Sequence, residues 1–461
     1  METDSPNPAA EAGHAAEVSA LLTRYERIPS SERIRLAKST SNLFRFRSPV
    51  RGSGLEVAGL DRVLSVDPHS RTAEVQGMTT YEDLVAATLR HGLMPTVVPQ
   101  LRTITLGGAV AGLGIESSSF RNGLPHESVR EMDVLTGDGR VVTARADNEH
   151  AELFRGFANS YGSLGYALRL VIDLEPVRAH VWLRHVRFTS AEECARATAE
   201  IRAHHAWEGE HVDFVDGTVF GPSELYLTLG TFRDGAPFRS DYTGNRIYYR
   251  SVRERATDCL RVSDYLWRWD TDWFWCSRAL GAQHPWIRPL WPRRYLRSDF
   301  YRRLVSLDQR FGLSDRLNRV RGRPRREPVI QDVEIPVEHL ARFLEFFHDR
   351  IGISPVWLCP VRLRDEAGWP LYPMDPHRLY VNVGFWATVP VRPGGRFGDH
   401  NREIEAKVAE LDGHKSLYST AYYGREEFWR HYDGDTYRRL KERYDGAGRL
   451  PGLYEKCVLG E

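Results

Sequence analysis

Cysteine and long apolar runs are scarce in this chain of 461 residues. The five cysteines are widely spaced and none belongs to a C-x-x-C pair. This spacing argues against a disulfide framework or a zinc site and favours a reducing, cytoplasmic setting. The longest nearly apolar run, residues 106–115, is much shorter than the roughly 18 residues that a membrane-spanning helix needs. Residues 1–17 are acidic and rich in alanine and proline, so we expect a disordered tail there and no signal peptide.

An excess of charge of either sign is missing as well. Lysine and arginine number 63 against 62 for aspartate and glutamate, and 41% of the residues are hydrophobic. This balance is that of an ordinary soluble protein and gives no indication of nucleic-acid binding. At this length we expect two or three domains.

Two common phosphate-binding motifs are also absent. No G-x-x-x-x-G-K-[ST] occurs, which argues against a P-loop nucleotide triphosphatase. The Rossmann pattern G-x-G-x-x-G fails at the glycine pairs 112/114, 52/54 and 137/139, where Ser117, Val57 and Val142 replace the third glycine. A nucleotide phosphate would need another arrangement.

The most informative stretch is residues 95–123, PTVVPQLRTITLGGAVAGLGIESSSFRNG. Glycine lets the backbone approach a ligand closely, and successive N–H groups at the start of a helix favour anions. The threonine and serine hydroxyls add neutral donors. We interpret the stretch as a site for a diphosphate held by main-chain amides. Alternatively, its glycines only permit close packing of a helix made of small residues.

The segments after this stretch form an ordered series. A hairpin turn at 137–139 is followed by a helical segment at 149–159, the turn GSLG at 162–165 and a strand at 166–174. In this order they resemble the FAD-binding domain of the p-cresol methylhydroxylase (PCMH)/vanillyl-alcohol oxidase superfamily, in which a loop similar to TLGG holds the FAD diphosphate. Residues 105–119, together with Asn122 and Gly123, are especially similar to the 24-dehydrocholesterol reductase branch.

The fold class that this resemblance implies is α+β. It comprises a PCMH-type FAD-binding domain of two subdomains at 18–177 and an antiparallel sheet-and-helix cap for the substrate at 178–396. A C-terminal segment at 397–461 returns to cover the flavin.

Local signals within these domains predict helix starts. Thr79 and Glu82 have the spacing of a capping box before a helix at 81–91, and Ser190 and Glu193 have the same spacing before a second helix.

The resemblance also implies non-covalent FAD. The first diphosphate loop of this sequence contains lysine and hydroxyl residues but no histidine, so a common point of covalent flavin attachment is missing. The alternative for this loop is a solvated turn. The implied cofactor-binding residues are Lys38, Ser39, Thr40, Ser41, Asn42, Pro99, Thr105, Leu106, Gly107, Gly108, Ala109, Val110, Ala111, Gly112, Leu113, Gly114, Ile115, Glu116, Ser117, Ser118, Ser119, Gly162 and Gly165.

Polar residues in two later segments are candidates for the substrate side of the flavin. Gln331 and Asp332 are adjacent in a predicted strand, so they point to opposite faces and only one can face the flavin; alternatively, both are ordinary polar residues of a sheet. The His-Lys pair at 414–415 could stabilise the charge of reduced flavin, although such a pair in a loop is more often simply exposed. The implied catalytic residues are Gln331, Asp332, His414, Lys415, Tyr418 and Tyr422.

Residues 248–301 hold six of the twelve tryptophans, mixed with arginines and prolines. This combination suits peripheral contact with the inner face of a membrane, whereas the alternative is the aromatic core of an irregular subdomain. Acidic residues in the segment argue against nucleic-acid binding. The arginines at 316–326 are typical of an exposed loop, with anionic lipid as an alternative contact.

The function that the resemblance implies is an FAD-dependent oxidoreductase acting on a bulky apolar small molecule. In the reductase form, NADPH is the co-substrate and a carbon–carbon double bond of a sterol-like or isoprenoid lipid is reduced. One alternative is a flavin oxidase or dehydrogenase of a sugar, lactone or prenyl-linked sugar alcohol. A second is a flavoprotein module that binds without catalysis. No metal is expected.

Overall fold

The computed structural model describes residues 8–38, 44, 45, 54–311 and 324–461. The described part combines helices with two large antiparallel sheets, which confirms the α+β class. None of its helices is long and apolar enough to cross a membrane. The predicted residues that lie outside the described part are Ser39, Thr40, Ser41, Asn42, Arg316, Arg319, Arg321 and Arg323.

The regular elements are spread over the whole described chain. Its α-helices are α1 (Pro8–Arg27), α2 (Tyr81–Thr88), α3 (Leu106–Gly112), α4 (Ser119–Asn122), α5 (Ala151–Phe157), α6 (Ala191–His204), α7 (Tyr248–Glu254), α8 (Val262–Leu266), α9 (Ser298–Phe311), α10 (Leu340–Arg350), α11 (Asp399–Glu410), α12 (Arg425–His431) and α13 (Gly434–Asp445). Its strands are β1 (Arg35–Ala37), β2 (Gly54–Glu56), β3 (Val63–Asp67), β4 (Thr72–Gln76), β5 (Leu93–Pro95), β6 (Val129–Leu135), β7 (Val141–Ala144), β8 (Tyr166–Pro176), β9 (His180–Phe188), β10 (Ala206–Trp207), β11 (Glu210–His211), β12 (Phe214–Gly221), β13 (Glu224–Arg233), β14 (Thr257–Arg261), β15 (Arg326–Pro336), β16 (Val356–Val361), β17 (Tyr380–Pro390) and β18 (His414–Lys415).

Helix α1 corrects the prediction of a disordered tail, because residues 8–17 are helical. Leu21, Tyr25 and Ile28 of this helix are buried in a small core that also contains Leu55. The alanine-rich composition that suggested disorder is also the best composition for a helix, since alanine has the highest helix propensity. The apolar residues at the end of the helix then attach it to the domain.

The first large sheet has the strand order β3-β4-β8-β6-β7, with β5 also pairing with β8. Every pair is antiparallel. The long strand β8 alternates in burial, so that Leu168, Leu170, Ile172 and Leu174 face the core. The predicted hairpin between β6 and β7 is confirmed, with Gly139 in the turn at φ 83°.

One helix start lies one residue from the predicted position. The N-cap of α2 is Thr80, whose Oγ1 accepts from the N–H of Asp83 at 3.2 Å. The capping box predicted at Thr79 and Glu82 is therefore wrong in register, and Glu82 instead pairs with arginines. The predicted cap Ser190 is confirmed by its bond from the N–H of Glu193 at 3.2 Å.

The second large sheet has the order β14-β9-β13-β12-β16-β17-β15-β18. The chain passes from the first sheet to the second between Pro176 and His180, close to the predicted bound at 177. Helices α6, α10 and α11 cover one face of this sheet through an apolar cluster. Residues of the other face, such as Trp357 and Cys359, belong to the large core that includes the first sheet. Both sheets therefore contribute to one interior.

The last part of the chain contacts both sheets. Strand β18 pairs with β15 at the edge of the second sheet. Helix α13 then packs against α5, which follows the hairpin of the first sheet. The predicted domain boundaries, including that between the cap and the C-terminal segment at 396/397, stay predictions.

The tryptophan-rich segment has two different environments. Trp267, Trp269, Trp273 and Trp275 are buried, in agreement with the alternative of an aromatic core. Trp286, in contrast, is 81% exposed.

Candidate active site

A cavity of about 470 Å³ lies between the first sheet with its loops and the inner face of the second sheet. Predicted binding residues that line it are Lys38, Pro99, Thr105, Gly107, Gly108, Ala109, Ala111, Gly112, Leu113, Gly114, Ile115, Gly162 and Gly165. Asp332 and Tyr418 line it from the opposite side, together with aromatic side chains. The structure thus brings residues of the early loop and the late segments to one place.

The start of α3 is held by the neighbouring backbone. Thr105 caps the helix, accepting from the N–H of Gly108 at 3.3 Å. The N–H of Gly107 donates to the carbonyl of Gly77 at 2.9 Å, and a Cβ at Gly107 would lie 2.8 Å from that oxygen. The N–H of Leu106 similarly donates to the carbonyl of Thr79. These amides are already engaged, so the prediction that they donate to a diphosphate is wrong for this end of the helix.

The other end of α3 offers amides that are not engaged in this way. Leu113 has a φ of 64°, which breaks the helix. Within the described residues, the N–H groups of Leu113, Gly114 and Ile115 form no hydrogen bond. A Cβ at Gly114 would lie 2.9 Å from the ring of Pro99, so a glycine is needed for this tight turn. The N–H groups at 113–115 are therefore available as main-chain donors at the cavity.

The hydroxyl run does not reach the cavity. Ser117 Oγ contacts Tyr265 Oη at 2.8 Å, and Ser118 Oγ donates to the carbonyl of Thr96 at 2.8 Å. The Oγ of Ser119 accepts from the N–H of Glu116 at 3.1 Å. These bonds hold the run within the protein interior, and a role in binding the cofactor stays a prediction. The predicted residues that the structure places outside the cavity lining are Leu106, Val110, Glu116, Ser117, Ser118 and Ser119.

Cationic side chains stand near the glycine turn of the cavity. Tyr161 donates from its hydroxyl to the carbonyl of Gly112 at 2.5 Å, and its own carbonyl accepts from Lys456 Nζ at 2.6 Å. The guanidinium of Arg45 lies 4.4 Å from the centre of the Tyr161 ring. Lys38 also lines the cavity. The end of the chain thus supplies a cation that sequence reasoning missed, because Lys456 is far from the loop in sequence.

The register of the second sheet decides between Gln331 and Asp332. Asp332 lies opposite Gly384 in the pairing of β15 with β17. A Cβ at Gly384 would lie 2.4 Å from Asp332 Oδ1, so the missing side chain makes room for the carboxyl group at the cavity. Gln331 faces the other side and donates from Nε2 to Asn401 Oδ1 at 2.8 Å. Asp332 is the cavity residue, and Gln331 belongs to the sheet–helix interface.

Asp332 and Tyr418 form a hydrogen-bonded group at the cavity. Tyr418 donates to the Asp332 carboxylate, and its hydroxyl accepts from Trp386 Nε1 at 2.9 Å. Asn382 Nδ2 donates to Asp332 Oδ1 at 3.3 Å. Burial raises the pKa of Asp332 to about 7, against the lowering effects of Asn382, Lys415 and Tyr418. A carboxyl group of this kind can give or take a proton near neutral pH.

Aromatic rings form the wall beside this group. Trp386 stacks on Phe274 with ring centres 4.3 Å apart, and Trp273 stacks on Phe44 at 5.5 Å. Trp357 completes the wall. No sequence pattern indicated this grouping, because the rings come from distant segments that meet only in the folded chain.

The remaining predicted catalytic residues lie outside the cavity lining. His414 is packed near the rings of Tyr372 and Tyr380, and burial lowers its pKa to about 4, so it is neutral at pH 7. Lys415 is buried and donates from Nζ to Ser419 Oγ at 2.9 Å. The pair is therefore outside the cavity lining, and its contact with the flavin stays a prediction.

Tyr422 also lies away from the cavity. Its N–H donates to the Glu405 carboxylate at 3.1 Å, and its ring lies 5.2 Å from the guanidinium of Arg402. Tyr422 is therefore outside the cavity lining, whereas Tyr418 belongs to it.

The cavity suits the FAD that the sequence implies. Amides at 113–115 and the cations Lys38 and Lys456 match a diphosphate, since main-chain N–H groups and ammonium groups both stabilise anions. The aromatic and glycine-lined remainder matches planar rings. This arrangement would leave Asp332 and Tyr418 to act on a substrate.

Comparisons with known proteins agree with this interpretation. A family model described as "FAD binding domain" matches residues 7–145. Delta(24)-sterol reductase of Homo sapiens is 26% identical over 416 residues, covering 86% of this chain and 75% of the relative. Delta(24)-sterol reductase of Arabidopsis thaliana is 25% identical over 443 residues, with 86% and 75% covered. Cytokinin dehydrogenase 2 of Oryza sativa subsp. japonica is 32% identical over 163 residues, covering 34% of this chain and 29% of the relative.

Proposed function

We propose that this chain, an FAD-dependent oxidoreductase with a PCMH-type domain and similar to Delta(24)-sterol reductases, reduces a carbon–carbon double bond in a sterol-like or isoprenoid lipid. NADPH is the proposed source of the electrons. The observation that carries this proposal is the Asp332–Tyr418 pair, which sets a protonatable group against an aromatic wall in the cavity.

Reduction of a double bond needs a hydride on one carbon and a proton on the other. Bound FAD supplies the hydride chemistry. Asp332, with its pKa at about 7, holds a proton in a large fraction of molecules at neutral pH. Tyr418 fixes the orientation of this carboxyl group through its hydroxyl, and Trp386 fixes Tyr418 in turn. The rings around them keep water from the reacting carbons.

Anaerobic reduction of the purified protein tests the proposal. We expect a yellow protein whose flavin colour is bleached faster by NADPH than by NADH and is restored by an apolar alkene from a lipid extract. A colourless protein that does not take up added FAD would contradict the cofactor assignment. Bound FAD with no turnover of any donor or acceptor would instead support a binding module.

A flavin oxidase or dehydrogenase of a sugar, lactone or prenyl-linked sugar alcohol is the second candidate, supported by the stretch similar to cytokinin dehydrogenase 2. In that direction Asp332 would accept a proton instead of donating one. Bleaching of the flavin by a sugar or prenyl-linked sugar alcohol, but not by NADPH, would favour this candidate.

Gly108 provides a test of the cofactor position. It lines the cavity, and an added Cβ would meet only the side chain of Thr105 within 4 Å. We expect Gly108→Leu to weaken FAD binding at least about tenfold, since the new side chain occupies cavity space and the affinity loss exceeds about 1.4 kcal/mol. Flavin fluorescence titration of apoprotein measures the dissociation constant.

The matched control for this variant is Gly235→Leu, at an exposed glycine with nothing within 4 Å of an added Cβ. It should bind FAD like the parent protein. If Gly108→Leu and Gly235→Leu bound FAD with equal affinity, the cofactor would lie outside this cavity.

Peripheral membrane contact is also proposed, supported by the exposed part of the tryptophan-rich segment. Trp286 is 81% exposed, Leu290 83% and Ile287 42%. These residues stand close in sequence to Arg293 and Arg294, which suit an anionic leaflet. Such a patch would give an apolar substrate a route from the bilayer.

Vesicle binding measures this contact. We expect the double variant Trp286→Ser/Leu290→Ser to bind anionic vesicles roughly a hundredfold more weakly, because each buried apolar side chain contributes about 1.5–3 kcal/mol. Phe238→Ser, at a ring that is 42% exposed and outside this patch, is the control. Unchanged sedimentation of the double variant with vesicles would argue against the contact.

A further inference from the structure

A second cavity, of about 280 Å³, lies where the end of β16 meets α4 and α6. Its lining is dominated by guanidinium groups, one from each helix and two from the residues directly after the strand. The residues that line it are Arg121, Arg202, Arg362, Leu363, Arg364, Glu366, Pro376 and His377.

Arg121 is neutralised by its own partners. Its Nη1 and Nη2 donate to the two carboxylate oxygens of Glu175 at 2.6 and 3.0 Å, and its Nε donates to the carbonyl of Asp213 at 2.8 Å. This arginine forms a fixed wall of the cavity and leaves little capacity for a ligand.

The other three arginines are not neutralised. Within the described residues, no ion pair joins Arg202, Arg362 or Arg364 to a carboxylate. The buried Nε of Arg202 has no hydrogen-bond partner there, and its Nη1 contacts only His205 Nε2, at 3.4 Å. The Nε of Arg362 donates to the carbonyl of Pro376 at 3.1 Å. Both of its Nη groups remain available to a ligand.

Three cations in one cavity repel each other unless an anion joins them. Burial and then the charge of Arg362 lower the pKa of Arg202, which reflects this repulsion. Glu366 contributes one negative charge to the lining, so the unpaired groups leave a net charge of about two. Guanidinium forks match the oxygens of a phosphate in geometry as well as in charge.

We propose that the cavity formed by Arg202, Arg362 and Arg364 binds a doubly charged phosphoryl group. The volume exceeds that of a few water molecules, so a phosphate monoester fits as well as the free ion. Binding of a phosphoryl group here can be measured without turnover and does not depend on the proposed reaction. Only the assignment of that group to NADPH rests on the proposed function.

The strand β16 connects this site to the active site. Trp357 near its start lines the first cavity, and Arg362 follows its end, five residues further along. At about 3.3 Å per residue the two positions are about 17 Å apart along the strand. The phosphoryl group has two candidate sources. One is inorganic phosphate, and the other is the phosphate that distinguishes NADPH from NADH, for which this distance is the span to the first cavity.

Calorimetric titration of the FAD-loaded, full-length protein with inorganic phosphate at constant ionic strength tests the site. We expect saturable binding to one site, weakened at least about a hundredfold in Arg362→Ala/Arg364→Ala, since each charged hydrogen-bonding group contributes about tenfold. Arg342→Ala is the matched control, at an exposed arginine paired with Glu410. Absence of saturable heat, or equal weakening in the control, would overturn the proposal.

Thermal unfolding of the same variants separates lost binding from lost folding. Phosphate should raise the midpoint of the parent and of the Arg342 variant, but not that of the double variant. A double variant that unfolds like the parent without phosphate and still gains stability from phosphate would also overturn the proposal.

Flavin reduction by the same variants identifies the source of the phosphoryl group. If NADPH is the source, the double variant loses its preference for NADPH over NADH in flavin reduction, and inorganic phosphate competes with NADPH in the parent. If the preference is unchanged while phosphate binding is lost, the source is free phosphate or another monoester.

Discussion

Replacing Asp332 with asparagine is expected to lower the rate of substrate reduction by about 10²–10⁴-fold, the usual contribution of a positioned acid or base. The amide keeps the shape and the contact with Asn382, but it cannot carry the transferred proton. Single-turnover measurements separate this step from reduction of the flavin by NADPH, which should be unaffected. An equal loss in both half-reactions would indicate a structural effect instead.

The rate of substrate reduction depends on pH in a definite direction. Because burial raises the pKa of Asp332 to about 7, the protonated form predominates below that pH and is lost above it. The parent protein should therefore reduce substrate at a level rate below about pH 7 and lose activity as the pH rises through it. In the dehydrogenase alternative the carboxylate is the active form, so activity would fall as the pH drops. The asparagine variant should lack the inflection in either case.

Two tyrosines provide the matched comparison for this site. Tyr418→Phe removes the hydroxyl between Asp332 and Trp386, and we expect a loss of activity with a shifted pH inflection. Tyr422→Phe makes the same chemical change at a ring outside the cavity and should leave the rate unchanged. If the 422 variant were the slower of the two, the assignment of the cavity would be wrong.

Replacing Arg268 with alanine is expected to lower the free energy of unfolding by about 3–5 kcal/mol. Its Nη2 donates to Glu116 Oε1 at 2.7 Å and to Asp216 Oδ2 at 2.8 Å, and all three side chains are buried. Removal of the cation leaves two carboxylates in the interior without compensation. Urea unfolding followed by tryptophan fluorescence measures the loss.

An exposed arginine serves as the control for this effect. Arg253 forms an ion pair with Glu224 on the surface, and Arg253→Ala should cost about 0–1 kcal/mol. The triple variant Arg268→Met/Glu116→Gln/Asp216→Asn should recover part of the stability, because it removes the charges together. No recovery would show that the cluster is not dominated by its charges.

The early loop shows what local sequence could predict. Glycine freedom is a local property, so the sequence predicted the start of a short helix in this stretch, and the resemblance implied a place beside the cofactor. The sequence could not show which N–H groups of α3 remain available as donors to a ligand. The backbone of Gly77 takes the N–H of Gly107, and that contact depends on how separate segments meet.

The late segments show the same limit. Alternation along a strand established that only one of Gln331 and Asp332 can face the cavity. The choice between them required the register with β17, where Gly384 leaves room for the carboxyl group. The sequence analysis proposed His414 and Lys415 as cations. Burial lowers the pKa of His414 and makes it neutral, and Lys415 donates its hydrogen bond to Ser419.

The Arg268 cluster has a consequence for how ligands enter. Glu116 follows the glycine turn of the first cavity, whereas Asp216 lies on β12 of the second sheet. Main-chain bonds run beside the cluster, from the N–H of Val215 to the carbonyl of Ser117 at 2.7 Å and from the N–H of Arg362 to the carbonyl of Ser119 at 3.3 Å. A hinge that swung the two halves apart would expose these groups and break all of the bonds at once. We therefore expect the two sheets to stay together while a ligand enters.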